Sequence, residues 1–136
     1  MNKTVAFFMT LIGLGPSACS PSFQNASVKE FAALIDSPDV QLVDVRTIEE
    51  YQDGHLEGAI NIDVEEEDFV QKAKEKLNTS KKVAVYCKSG RRASKAAEQL
   101  TTEGYQVTNL KGGIMAWKLQ QMPVTKDKTQ SVSQQR

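Results

Sequence analysis

The sequence is poor in the residues that build metal and redox centres. It has two cysteines, Cys19 and Cys87, which lie far apart and form no C-x-x-C pair. A disulfide scaffold, a structural zinc site and a dithiol redox motif therefore lack their ligands. A single histidine, His55, rules out a multi-histidine metal centre, so neither metal nor cofactor is expected. Net charge is missing as well. The 17 basic residues balance 17 acidic ones, which leaves no overall electrostatic footprint for nucleic acid. The apolar run at residues 5–14 is too short to span a bilayer comfortably. Neither an internal repeat nor a second domain can be seen.

The two ends of the chain carry little that could fold. Lys3 supplies a positive start, residues 5–14 an apolar centre, and Pro16-Ser17-Ala18 a small-residue approach to a cleavage point. Residues 1–22 are thus expected to be a signal peptide, or a lipoprotein signal with its linker, that sends the chain to a bacterial periplasm. Small residues leading into Cys19 resemble a lipobox, although Pro16 stands where leucine is usual. Cys19 is the candidate for lipidation, and that anchor would be the chain's link to a membrane. From residue 125 to 136 the composition is Lys, Gln, Ser and Thr with almost no apolar side chain, and a disordered tail is expected.

Between these ends, strand-like and helix-like stretches alternate. Ser27-x-x-Glu30 and Thr47-x-x-Glu50 are capping boxes that open helices. Apolar β-favouring runs occur at residues 40–45, 60–62, 83–86 and 105–110, with a short edge segment near residue 25. Helical spacing marks Phe69, Val70, Ala73 and Leu77, then Ala93, Ala96, Ala97 and Leu100, then residues 114–119. The pattern predicts an α/β domain over residues 23–124, with a mainly parallel sheet covered by helices on both faces. In such sheets, binding loops gather at the carboxyl ends of the strands. Asp44, Arg46 and Cys87 all stand at such ends.

The chemistry concentrates at Val85-Tyr86-Cys87-Lys88-Ser89-Gly90-Arg91-Arg92. A strand stops at a cysteine, and a short loop with three cations enters a helix. Amides of the loop and first helical turn, with the helix dipole, favour negative charge there and hence the thiolate, the reactive form of cysteine. Cys87 is expected to be an exposed, ionised nucleophile. Arg92 closes the loop and is expected to clamp an anion. Lys88 and Arg91 either steer substrate or face solvent, Gly90 frees the backbone, and Ser89 shapes the loop. Arg46 and Glu50, four residues apart, are expected to pair across the strand-to-helix corner. Trp117 and Met115 are expected to cap the core.

Five stretches together resemble the rhodanese family of sulfurtransferases. They are Leu42-Val43-Asp44-Val45-Arg46, Glu50-Tyr51, Gly54-His55-Leu56-Glu57-Gly58-Ala59-Ile60-Asn61-Ile62, the Cys87 loop, and Leu110-Lys111-Gly112-Gly113-Ile114-Met115-Ala116-Trp117. With its short length and signal-like start, the chain is most similar to single-domain, exported rhodaneses of the phage-shock type. The resemblance implies a three-layer sandwich around a five-stranded parallel sheet. It implies that Cys87 carries a persulfide wrapped by Lys88, Ser89, Gly90, Arg91 and Arg92, with Asp44, Arg46, Glu50 and His55 as structural support. The implied partners are a small anionic sulfur donor and a thiol or cyanide acceptor, used by a monomer. Two alternatives stay open: a persulfide carrier or partner-binding module without turnover, and a cysteine-dependent phosphatase or arsenate reductase. The second is hampered by the four residues between Cys87 and Arg92, one fewer than a Cys-x5-Arg loop needs.

Overall fold

The computed structural model describes residues 22–126. Residues 1–21 of the expected addressing segment, Cys19 among them, lie outside the described residues, and so does the chain from residue 127 onward.

Both capping boxes form. Ser27 Oγ accepts the Glu30 N–H at 3.2 Å while Glu30 Oε1 accepts the Ser27 N–H at 3.0 Å, opening α1 (Val28–Ile35). Thr47 and Glu50 repeat this exchange at the start of α2 (Ile48–Asp53). Each box satisfies amides that a helix start would otherwise leave unpaired. The remaining helices are α3 (Phe69–Lys76), α4 (Arg91–Thr102) and α5 (Gly113–Leu119).

Five strands, β1 (Gln24–Ala26), β2 (Val40–Asp44), β3 (Ile60–Asn61), β4 (Lys82–Tyr86) and β5 (Val107–Leu110), form one sheet in the order β1-β5-β4-β2-β3. All their pairings are parallel. Side chains alternate between its faces. Val43, Val83, Val85 and Val107 pack under α3 and α4 with Phe69, Ala96 and Leu100. Leu42, Ala84, Tyr86 and Leu110 pack under α1 and α5 with Phe31, Ile114 and Trp117. Helix, sheet and helix thus make three layers.

After β2 the chain moves outward to β3, whereas after β4 it moves the other way to β5. The carboxyl ends of β2 and β4, which are neighbours, therefore flank the crevice where open α/β sheets bind ligands. Arg46 follows β2 and Cys87 follows β4.

A buried polar knot holds the two strand ends together. Asp44, fully buried, takes both Arg46 Nε and Nη2, the latter at 2.6 Å, and accepts the Tyr86 hydroxyl at 2.8 Å. Arg46 Nη2 also donates to the Gly54 carbonyl at 2.7 Å, and the Leu56 N–H donates to the Tyr86 hydroxyl. Burial, with Asp44 beside it, pushes the Tyr86 phenol far above its ordinary range. The expected Arg46–Glu50 pair does not form, because Arg46 is spent on Asp44 and Gly54.

Two further expectations give way. Trp117 is buried, with its indole N–H on the Pro123 carbonyl, but Met115 is 54% exposed and caps no core. Order also runs past Val124: Thr125 and His55 exchange both backbone hydrogen bonds at 2.8 Å, which satisfies amide and carbonyl groups that composition alone ignores.

Asp44→Ala would strand the Arg46 charge in the interior and should cost roughly 3–5 kcal/mol. Ser27→Ala, at an exposed cap, should cost about 1 kcal/mol. Urea unfolding of the two variants, side by side, measures the difference.

Candidate active site

Strand β4 ends at Tyr86, and the next residue, Cys87, lies under the loop that leads into α4. Gly90 adopts φ +106°, a left-handed conformation that suits glycine, and its N–H points at Cys87 Sγ at 3.0 Å. The amides of Lys88, Ser89, Arg91, Arg92 and Ala93 make no hydrogen bond among the described residues. One amide is thus taken by the sulfur, and five remain around the start of a 12-residue helix. Such a group of free N–H donors favours a negative charge.

The loop is held from behind by α5. The Ile114 N–H donates to the Cys87 carbonyl at 2.8 Å, and the Met115 N–H to the Lys88 carbonyl at 3.1 Å. This contact is close enough that a Cβ on Gly113 would lie 2.6 Å from the Cys87 carbonyl oxygen and closer still to Lys88. Gly113 also adopts φ +64°. The Gly112-Gly113 pair directly before an apolar helical stretch was the visible signal of this contact, but no sequence pattern says which loop it touches.

Cys87 is 1% exposed. The expectation of an exposed sulfur is therefore corrected: α5 draws the loop down over the side chain, and Cys87 packs with Val85 and Ala93 in the apolar layer. Its Sγ nevertheless faces the loop that follows it, where it accepts the Gly90 N–H.

The cations divide into two kinds. Arg92 is not free to clamp an anion, because its guanidinium makes two bonds to Glu50, Nη1–Oε1 at 2.8 Å and Nη2–Oε2 at 3.0 Å. This pair spans the crevice from α4 to α2. The Arg92 hydrogen bonds hold the Glu50 carboxyl down at about 2, against an ordinary 4.5, and Glu50 raises Arg92 in return. Lys88 and Arg91 are exposed and have no ion-pair partner among the described residues. Lys88 borders a cleft of about 200 Å³ that also touches Arg46, Glu50, Asp53, Met115 and Lys118. Ser89 is exposed at the loop tip.

His55 makes its contacts with α2 and with Thr125. Its ring stacks on Tyr51 at 3.8 Å, and Nδ1 lies 2.7 Å from the Tyr51 carbonyl. Among the described residues no cluster of His, Cys, Asp or Glu could hold a metal ion.

A family model described as "Rhodanese-like domain" matches residues 27–120. A sulfurtransferase of Allochromatium vinosum is 34% identical over 92 residues, which cover 67% of this chain and 83% of that protein. A tRNA uridine(34) hydroxylase of Picosynechococcus sp. is 40% identical over 100 residues, covering 71% of this chain but 33% of the relative. The chain spans less than two-thirds of the length of several curated relatives it matches, at 62%, 40% and 33%. Among solved structures, a rhodanese-related protein from Thermoplasma volcanium superposes with a TM-score of 0.68 at 26% identity, over 77% of this chain and 100% of that one.

Two outcomes follow from this geometry. Because folding depresses the Glu50 pKa, its pair with Arg92 stabilises the fold fully above pH 4.5 and loses that effect as pH falls towards about 2. The urea midpoint of Glu50→Gln should trail the parent at neutral pH and converge with it across that acid window. Gly113→Ala should displace the Cys87 loop while the sheet stays intact, measured as unchanged far-UV circular dichroism with faster alkylation of Cys87 as the loop lifts off the sulfur.

Proposed function

The chain belongs to the rhodanese-like domain family, and from that membership we propose that it is a sulfurtransferase that carries a sulfane sulfur on Cys87. The Cys87 thiolate attacks the outer sulfur of an anionic donor such as thiosulfate. A new S–S bond forms at Sγ as the donor's own S–S bond breaks, and sulfite leaves with the bonding pair. An acceptor thiolate, or cyanide, then attacks the terminal sulfur of the persulfide. The acceptor gains that sulfur and Cys87 departs as thiolate, giving two-step, ping-pong kinetics.

The observation that carries this reading is the Gly90 N–H on Sγ, in a loop and helix start whose five other amides are free. An added sulfur extends the side chain by about 2 Å beyond the buried Sγ, and the free amides of this loop and helix start are the donors available to its charge. Lys88 and Arg91, the uncompensated cations of the loop, raise the local concentration of an anionic donor. Arg92 contributes charge while its pair with Glu50 keeps the loop docked on α2. The phosphatase alternative needs a free arginine at the loop's end, and Glu50 occupies it. Burial of Cys87 favours a second reading, in which the chain is a persulfide carrier that protects its sulfur and turns over thiosulfate slowly. The likeness to the phage-shock type, monomeric action, export to the periplasm and a lipid tether at Cys19 belong to the same proposal.

The test is mass spectrometry of the Cys87 peptide after thiosulfate treatment, paired with a thiocyanate assay. One sulfur's mass on Cys87, with turnover that falls to background in Cys87→Ser, is the expected result. Mass gain with little turnover selects the carrier. Turnover that survives in Cys87→Ser, or a Cys87 peptide that never gains sulfur, overturns the proposal.

A further inference from the structure

Asn109 is a buried polar side chain on a largely apolar sheet face. It pairs in register with Val85 on the side where Val83, Val85, Cys87 and Val107 pack, and it is 3% exposed. Burying an amide there is costly unless its hydrogen bonds offset the lost water. Only part of that compensation is present: Nδ2 donates to Asn25 Oδ1 at 2.9 Å and to Ser94 Oγ at 3.4 Å, while Oδ1 has no partner among the described residues. A residue kept in so unfavourable a place points to a task at one of its two contacts.

Ser94 is the contact that leads to the sulfur. Its hydroxyl donates to the Gly90 carbonyl at 2.9 Å, and its own N–H donates to the same oxygen at 3.1 Å. Gly90 is the residue whose N–H meets Cys87 Sγ. The Gly90 carbonyl shares a peptide unit with the Arg91 N–H, one of the free donors of the loop. Two hydrogen bonds on that oxygen polarise the unit and strengthen the N–H at its other end. A serine that bonds back to a carbonyl one turn earlier is common in helices. Here the acceptor is the left-handed glycine that starts α4, and a buried amide holds the hydroxyl from behind.

We propose that Ser94, backed by Asn109, is a positioning residue that fixes the Gly90–Arg91 peptide of the Cys87 loop and so sets how strongly the loop holds negative charge on the sulfur. The inference rests on Cys87 as the sulfur carrier and adds a determinant of that site outside the loop itself.

The full chain serves for the test, with alkylation read on the Cys87 peptide so that Cys19 does not contribute. Ser94→Ala should slow alkylation of Cys87 at neutral pH, and the kcat of sulfur transfer, by roughly 5- to 10-fold, the scale of one hydrogen bond. KM for thiosulfate should stay within about twofold, since Lys88 and Arg91 are untouched. Ser94→Thr should restore both rates. Asn109→Leu, of similar shape, should leave the urea midpoint equal or higher while slowing both rates, a combination that a purely structural role does not produce. Unchanged alkylation in Ser94→Ala, equal loss in Ser94→Thr, or full rates in Asn109→Leu would overturn the proposal. Alkylation needs no sulfur donor. Failure of the transferase assignment would therefore appear as absent turnover in every variant, and failure of this inference as alkylation that does not move.

Discussion

The carbonyl groups of Cys87 and Lys88 rest on the amides of Ile114 and Met115, and the candidate site depends on that pair of hydrogen bonds. A loop of this length has little side-chain packing of its own to hold one conformation. A helix start has amides with no partner inside the helix. Each deficit removes the other, provided the two backbones can touch, and Gly113 is what lets them. With its carbonyls engaged on the α5 side, the loop keeps the Gly90 N–H on the sulfur and leaves further amides free at the start of α4. The same contact pulls the loop over Cys87, so donor geometry and burial have one cause.

Charge compensation then decides which groups are free to meet an anion. Asp44 neutralises Arg46 in the interior, and Glu50 neutralises Arg92 at the crevice. Lys88 and Arg91 remain. Unpaired positive charge is thereby left at the exposed lip of the loop, while the inner arginines tie α2, β2 and α4 together. An arginine at the loop's end is not by itself an anion clamp, because its direction is set by the carboxylate that reaches it first.

Much of the fold was legible because its determinants are local. Ser27 with Glu30 and Thr47 with Glu50 act over three residues, and both predicted boxes start helices. The alternation of Val83, Ala84, Val85 and Tyr86 reads directly as a strand covered on both faces. The loop's position after β4 was equally visible. What failed was pairing. Arg46 and Glu50 satisfy the helix spacing rule, yet Glu50 bonds Arg92, 42 residues away, because strand order sets β2 beside β4. Met115 and Thr125 were misjudged for a related reason. Their exposure depends on which surface faces them, and neither composition nor periodicity carries that information.

Taken alone, then, the amino-acid order determined the elements, their caps, and a cysteine at the joint between a strand and a cationic helix start. These follow from backbone preferences and side-chain periods that operate within a few residues. The tertiary structure decided that the sulfur is covered, that Gly90 is its donor, that Arg92 belongs to Glu50, and that Ser94 and Asn109 stand behind the loop. The Arg92–Glu50 pair, the Asn109–Ser94 contact and the α5 cover over the sulfur join segments that only the tertiary fold brings together, whereas the Gly90–Cys87 bond closes within one loop whose conformation α5 holds.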